Sequence, residues 1–292
     1  MANKMNNKQF FIYVLVLSFT GYTRPQNDVQ LIKLGNFENE GLPFPSFGFG
    51  QFVLPKNKIA PLVTVFSETG HHQNQTIIYP QVVYGITNSL SGLVSLPIII
   101  NIDNGSRKTQ AVGDLQLELE YALYVRTAQS SLNRITFVTD LNLPTGHFST
   151  SLTPSTGFGA VSLFFGVTAA HISIDWYAYL APGMLVTTPT RNTKAGCTAF
   201  YQGGVGRNLG NPGGITLVGM LECNGVYIQK DTICCTSNPN SGGNTIFLGP
   251  TLYGAFKNIQ ILGGVQFPTY QHLNGAQGKQ KYRLIFNASA TF

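Results

Sequence analysis

The feature that most constrains this chain is a strict period of two. In its last twelve residues, KYRLIFNASATF, the side chains of Tyr282, Leu284, Phe286, Ala288, Ala290 and Phe292 alternate with Arg283, Asn287, Ser289 and Thr291. In an extended strand successive side chains point to opposite faces, so one face here must be buried in something apolar. The pattern recurs in GDLQLELEYAL, where Leu115, Leu117, Leu119, Tyr121 and Leu123 oppose Asp114, Gln116, Glu118 and Glu120. In RITFVTDLNLP, Ile135, Phe137, Leu141 and Leu143 oppose Arg134, Thr136, Asp140 and Asn142; in HISIDWYAYL, Ile172, Ile174, Trp176, Ala178 and Leu180 oppose His171, Ser173, Asp175, Tyr177 and Tyr179. Carboxylates therefore fall repeatedly on the non-apolar face.

A soluble sandwich alternates in the same way, and composition separates the two cases. Only 10% of the 292 residues are charged, against about a quarter in a soluble domain, so much of the surface faces something other than water. The 32 Gly, 15 Pro and 12% aromatic residues disfavour long helices and suit short strands joined by turns. Beyond the N-terminal segment no stretch reaches the roughly 18 uninterrupted apolar residues that a spanning helix requires. A membrane location then demands a closed barrel, the other structure that pairs every backbone group internally.

The expected fold is thus an all-β, antiparallel, transmembrane up-and-down barrel of about twelve strands, beginning near Ile59, Thr76, Leu90, Ala111, Leu132, Gly157, His171, Gly196, Ile215, Asn244, Ile259 and Lys279. The connections alternate in length. Asn88-Ser89, Ala169-Ala170, Gly210-Asn211-Pro212 and Lys257-Asn258 read as tight, whereas Asn101 to Gln110, Thr145 to Thr156, Thr187 to Ala195 and Lys230 to Gly243 read as long. Short periplasmic turns and longer external loops are the rule in such barrels, and a periplasmic Phe292 puts every long loop outside.

Ahead of the barrel (59–292), Lys4 and Lys8 followed by FFIYVLVLSF have the layout of a secretory signal peptide over about 1–23, too short for a span. Residues 24–58, rich in Pro and Gly, are turn-prone and aperiodic. They read as a periplasmic lead-in or as a short insert into the lumen, a loosely ordered arm being the plainer version. The four cysteines, Cys197, Cys223, Cys234 and Cys235, match neither a paired zinc pattern nor a disulfide scaffold. An oxidising exported setting is compatible with one disulfide of unassigned partners. The formal charge of +6 comes without a basic run interleaved with stacking aromatics, so nucleic acid is a poor partner.

Two resemblances add to this reading. The terminal strand carrying Tyr282 and Phe286 and closing on Phe292 resembles the C-terminal signature by which bacterial outer-membrane barrels are recognised by their assembly machinery. From Phe49 to Phe292 the chain also resembles the outer-membrane transporter family associated with the meta-pathway of phenol degradation. The landmarks are VVYGITNSLSGLVSLPI (Val82 to Ile98), GDLQLELEYAL, FVTDLNLPTG (Phe137 to Gly146), TGFGAVSLFFGV and GGVQFPTYQ (Gly263 to Gln271). This resemblance implies passage of small, often aromatic or hydrophobic, compounds across the outer membrane of a Gram-negative cell. The Cys-rich loop and the Asn- and Thr-rich loops depart from the family.

The candidate lumen-lining set is Asp114, Glu118, Glu120, Arg134, Asp140, Asp175, Glu222 and Arg283, which could tune solute preference or fill a narrow lumen. Arg107, Lys108, Arg191, Lys194, Lys230, Lys279 and Lys281 fall at external loops or strand ends, where they could meet outer-membrane lipid phosphates or simply be solvated. Trp176, Tyr177, Tyr179, Tyr84, Tyr253 and Tyr282 are candidates for interfacial girdles, with lumen packing the alternative for Tyr177 and Tyr179. His71, His72, His147 and His272 fall in external loops and His171 near a periplasmic turn; none pairs with a Ser and a third group in a recognisable catalytic set. The expectation is a passive transporter for small solutes, without enzymatic activity, cofactor or metal. The alternative is a structural or surface-interaction barrel with a blocked lumen.

Overall fold

The computed structural model describes residues 42–50, 52–71, 74–103, 108–128, 130–147, 155–190 and 192–292. The proposed signal peptide, His72, Arg107 and Arg191 lie outside these residues. Twelve antiparallel strands close into a barrel, in which each strand pairs with its neighbours in sequence. They are β1 (Ile59–Gly70), β2 (Asn74–Gly85), β3 (Leu90–Ser95 continued by Ile98–Asp103), β4 (Lys108–Val112 continued by Leu115–Ala128), β5 (Ser131–Leu143) and β6 (Ser162–Ser173). There follow β7 (Trp176–Thr187), β8 (Thr198–Gly210), β9 (Thr216–Ile228), β10 (Gly243–Phe256), β11 (Ile259–Leu273) and β12 (Gln280–Ala290).

Closure is made by β1 and β12, paired from Leu62↔Ser289 to Gly70↔Gln280. Ile59 and Phe292 then exchange backbone bonds of 3.2 and 2.9 Å at the end of the seam, so no edge strand remains. Among the described residues no helix is long and apolar enough to cross a membrane.

Alternation decides which face each side chain takes. Leu119, Tyr121, Leu123, Leu180, Leu221, Leu252, Leu284 and Phe286 stand exposed on the outer wall, with Leu180 67% exposed. Glu120, Arg134, Asn142, Glu222, Gln266 and Arg283 are buried inside. The sidedness is the reverse of a soluble protein's, and an apolar exterior of this extent is stable in hydrocarbon rather than in water.

Prolines interrupt the ladder at definable points. Pro97 separates the two segments of β3, and the facing break in β4 at Gly113 is bridged by Gly113 N–H donating to the Pro97 carbonyl at 2.8 Å. Between β6 and β7 the pairing runs to Gly166↔Gly183 and resumes at Ala169↔Leu180. The gap lies opposite Pro182, which has no N–H to give. A matching gap between Leu248↔Phe267 and Thr251↔Gly264 contains Pro250.

One expected connection is misplaced. Ala169-Ala170 is not a turn; both residues lie within β6, and the chain reverses at Ile174 and Asp175. The turn chemistry belongs to Ser173, whose hydroxyl accepts from Trp176 N–H at 2.9 Å and donates to the Trp176 carbonyl at 3.0 Å. HISIDWYAYL is therefore two strands, and the expected starts near Gly157 and His171 move to Ser162 and Trp176. Ile172 accordingly faces inward, fully buried, while Trp176 faces outward.

Leu119 on the outer wall offers a direct check of sidedness. Leu119→Arg is expected to destabilise the barrel by about 2 kcal/mol or more in lipid vesicles, read as a lower guanidinium midpoint, with Leu119→Ala costing less. Equal midpoints for the two variants would place Leu119 in a polar setting and contradict an apolar exterior.

Candidate functional site

A barrel of twelve strands encloses more space than its inward side chains alone fill. Residues 42–50 and 52–54 occupy that space, and 55–58 lead out at the short-turn rim to β1. Leu42 and Phe44 pack with Leu132, Ile172, Tyr177, Met220 and Tyr253 near the short-turn rim. Phe47 and Phe49 reach further in, against Phe66 (5.8 Å between ring centroids) and Phe164 (4.6 Å). The segment then returns to the short-turn rim, where Leu54 N–H donates to Ser91 Oγ (2.7 Å) and Lys56 N–H to Asn88 Oδ1 (3.0 Å).

An aperiodic segment buried in a lumen must find partners for its own backbone. Two carboxylates take three of its N–H groups. Glu120, on β4, accepts from Gly50 N–H at 3.0 Å and from Phe52 N–H at 2.6 Å, one on each oxygen. Glu222, on β9, accepts from Ser46 N–H at 2.9 Å and from the Ser46 hydroxyl. Its remaining lone pairs take Tyr179 Oη at 2.9 Å and Thr251 Oγ1 at 2.6 Å. Four donors on a fully buried carboxylate explain how it is accommodated. From other walls, Gln202 donates to the Phe47 carbonyl (2.9 Å) and Thr168 to the Phe49 carbonyl (2.6 Å).

Arg283 grips the segment by different chemistry. Its guanidinium carbon lies 4.0 Å from the Phe47 ring centroid and 3.8 Å from that of Phe247, a cation held between two aromatic faces. Two of its nitrogens donate to Gln266 Oε1, at 3.0 and 2.6 Å. Gly166 and Gly183 make room nearby, for a Cβ at either would collide with Phe49.

The expected lumen residues thus divide. Glu118 and Asp140 are register partners on β4 and β5, with Glu120 and Arg134 alongside on the same two strands. Glu222 lies across the barrel, and Arg283 is paired in register with Glu68 and Gln266. Asp175 does not belong: it sits exposed in the β6–β7 turn. Asp114 is buried at the long-loop rim and ties down the loop after β5, accepting from Gly146 N–H (2.9 Å) and Phe158 N–H (2.8 Å). Sequence reasoning passed over Glu68, which accepts from Gln280 Nε2 at 2.8 Å. It also passed over Ser46, Tyr179 and Thr251 as partners of Glu222; the inward period of β1, β7 and β10 was the available signal for Glu68, Tyr179 and Thr251, and Ser46 had none.

The aromatic candidates separate likewise. Tyr84, Trp176 and Tyr282 face outward, whereas Tyr177, Tyr179 and Tyr253 are buried in the lumen, which removes Tyr253 from any girdle. Tyr282 and Phe286 are exposed on the outer wall, as is the final residue Phe292. Lys108 begins β4, 3.7 Å from Asp103. Lys194 lies in a small three-stranded sheet with Thr232–Ile233 and Thr236–Ser237 above the long-loop rim, while Lys230, Lys279 and Lys281 lie at that rim. The four cysteines are unpaired thiols. Among the described residues no group of three or more His, Cys, Asp and Glu could hold a metal ion.

The architecture is similar to the COG4313 outer membrane channel from Pseudomonas putida F1, with a TM-score of 0.70 at 14% identity, over 86% of this chain and all of that one. Looser likeness extends to the NanC porin (TM-score 0.49, 12% identity, 79% of this chain and 98% of that). The β domain of the Bordetella autotransporter BrkA gives a TM-score of 0.48 at 9% identity, over 81% of this chain and all of that one. No protein-family model matches the sequence, and no curated protein matches it.

If Glu120 fixes the lumen segment, removing its carboxylate strands two buried N–H donors. Hydrogen bonds to a charged group are worth about 1.5–3 kcal/mol each, so Glu120→Ala is expected to speed amide hydrogen exchange at Gly50 and Phe52 by at least about tenfold. Val138 on β5 should keep its protection. Unchanged exchange at Gly50 and Phe52 would show that the segment is held without Glu120.

Proposed function

We propose that this chain is an outer-membrane barrel that passes small solutes, its lumen closed at rest by residues 42–50 and 52–54. The observation that carries the reading is the manner of closure. An aperiodic segment, held by hydrogen bonds and aromatic contacts, packs among the strands' own inward side chains and adds to them in filling the lumen. Its short turns face the periplasm and its long loops the exterior, and Tyr282, Phe286 and Phe292 serve recognition by the assembly machinery. The fold likeness to an outer membrane channel supports the class.

Small aromatic or hydrophobic compounds are the proposed solutes. In support, the lumen presents phenylalanine faces at Phe164, Phe200 and Phe247 beside those of the segment, and the sequence resembles the family associated with phenol degradation. Such a solute enters between the external loops. It crosses once the segment moves, or leaves sideways where Pro182 interrupts the β6–β7 ladder, beside a groove of about 1060 Å³ on the outer wall. Passage needs neither cofactor nor covalent chemistry. The external lysines, Lys108, Lys194, Lys230, Lys279 and Lys281, are proposed contacts for lipid phosphate.

The extent of lumen packing favours one second reading, a permanently closed barrel with a structural or surface-binding role. Reconstitution in planar bilayers and liposomes separates the two, using the wild type, a variant lacking residues 42–52, and the Glu118→Ala, Glu120→Ala pair. A passing barrel should show low resting conductance that rises severalfold on deletion of the segment, with wild-type liposomes taking up small aromatic solutes faster than empty ones. A folded wild-type barrel that passes neither ions nor aromatic solutes would support the closed reading instead.

A further inference from the structure

On the outward face of β7–β11 one charge stands that its surroundings do not explain. Among the described residues Arg207 is the sole Asp, Glu, Lys or Arg on the outward face of β7–β11, where the adjacent outward positions are apolar. A cation on a lipid-facing surface is costly unless it reaches the interface and finds an anion. Arg207 is exposed, three residues before the end of β8 at the short-turn rim. Its guanidinium carbon is 5.5 Å from the ring centroid of Trp176, itself 53% exposed and of the type that settles at the headgroup level.

A groove of about 680 Å³ opens at this pair. Its floor follows from register, for one cross-strand row runs Trp176, Arg207, Gly219, Leu252, Gly263 from β7 to β11. Gly263 leaves the wall without a side chain beside Leu252, whereas the Leu209 side chain lies over Gly219, 3.2 Å from where a Cβ there would stand. Leu221, Val205 and Val265 form the apolar flanks. A Cβ built on Gly263 would meet nothing within 4 Å, so the space above it is open.

We propose that this groove binds one glycerophospholipid of the periplasmic leaflet, its phosphate on the Arg207 guanidinium and an acyl chain lying over Gly263 beside Leu252. The inference rests on the membrane reading above. Charge complementarity selects the occupant: a guanidinium matches phosphate oxygens in a fork, and the apolar floor matches a hydrocarbon chain. An anionic headgroup is preferred, because choline would return a positive charge beside Arg207.

The full barrel, inserted into mixed phosphatidylglycerol and phosphatidylcholine vesicles and extracted into mild detergent, is examined by native mass spectrometry for retained lipid. Wild type should keep one phosphatidylglycerol in excess of its share of the vesicle. Arg207→Gln should lower that retention about fivefold, the weight of one interfacial cation. Gly263→Phe, which projects into open space and leaves the ladder intact, should lower it by filling the groove while Arg207 remains. An inserted barrel whose retained lipid follows vesicle composition, or is unaltered by both variants, would overturn the inference alone. A chain that fails to insert would overturn the membrane reading and the inference with it.

Discussion

The whole structure depends on one constraint: a backbone that faces hydrocarbon must satisfy its N–H and C=O groups within itself. Period two in the sequence produces strands with one apolar face, but strands alone would leave two open edges. The β1–β12 ladder removes them, down to the reciprocal bonds of Ile59 and Phe292. Where the sequence places proline in a strand, the same constraint makes the position consequential. At Pro97 a neighbouring N–H is redirected to the free carbonyl. At Pro182 and Pro250 the ladder stays interrupted on one side while the other keeps its pairing, Pro182 with Tyr201 and Pro250 with Leu221.

The lumen raises the same accounting question inside the barrel. A buried carboxylate can only accept, and a buried aperiodic segment has N–H groups with nothing to pair with. Glu120 and Glu222 on one side, and the amides of Ser46, Gly50 and Phe52 on the other, solve each other's problem. Each alone would carry a desolvation cost of several kcal/mol; together they specify where the segment lies. Arg283 does similar work through the faces of Phe47 and Phe247, beside its register partner Glu68.

Much of this was legible in the sequence because the strand signal is local. KYRLIFNASATF and GDLQLELEYAL each show their facing directly, and both kept it. HISIDWYAYL misled because a two-residue turn sits inside a run whose apolar spacing carries on across it. The lumen is also partly apolar, so Ile172 inside and Trp176 outside look alike in sequence. The functional geometry was less legible. Glu120 and Glu222 were identifiable as inward acids, but an inward acid reads the same whether it meets water or a backbone amide. Their partners lie 176 residues away for Glu222 and 70 for Glu120, in a segment with no period to announce its place.

The bonding of the segment also bears on how readily it could leave, on the reading proposed here. An apolar plug in a dry core would resist removal because water entering behind it would wet hydrocarbon. Here the strongest anchors are charged. If the segment withdraws, Glu120 and Glu222 lose amide donors but gain water, and hydration of a carboxylate offsets most of what those bonds contributed. What water does not replace is the aromatic packing of Phe44, Phe47 and Phe49. An apolar solute lying against Phe164 and Phe247 would supply that packing in their place, so occupancy by the solute and withdrawal of the segment favour each other. Coupling of this kind needs no separate trigger; it follows from which contacts water can substitute and which it cannot.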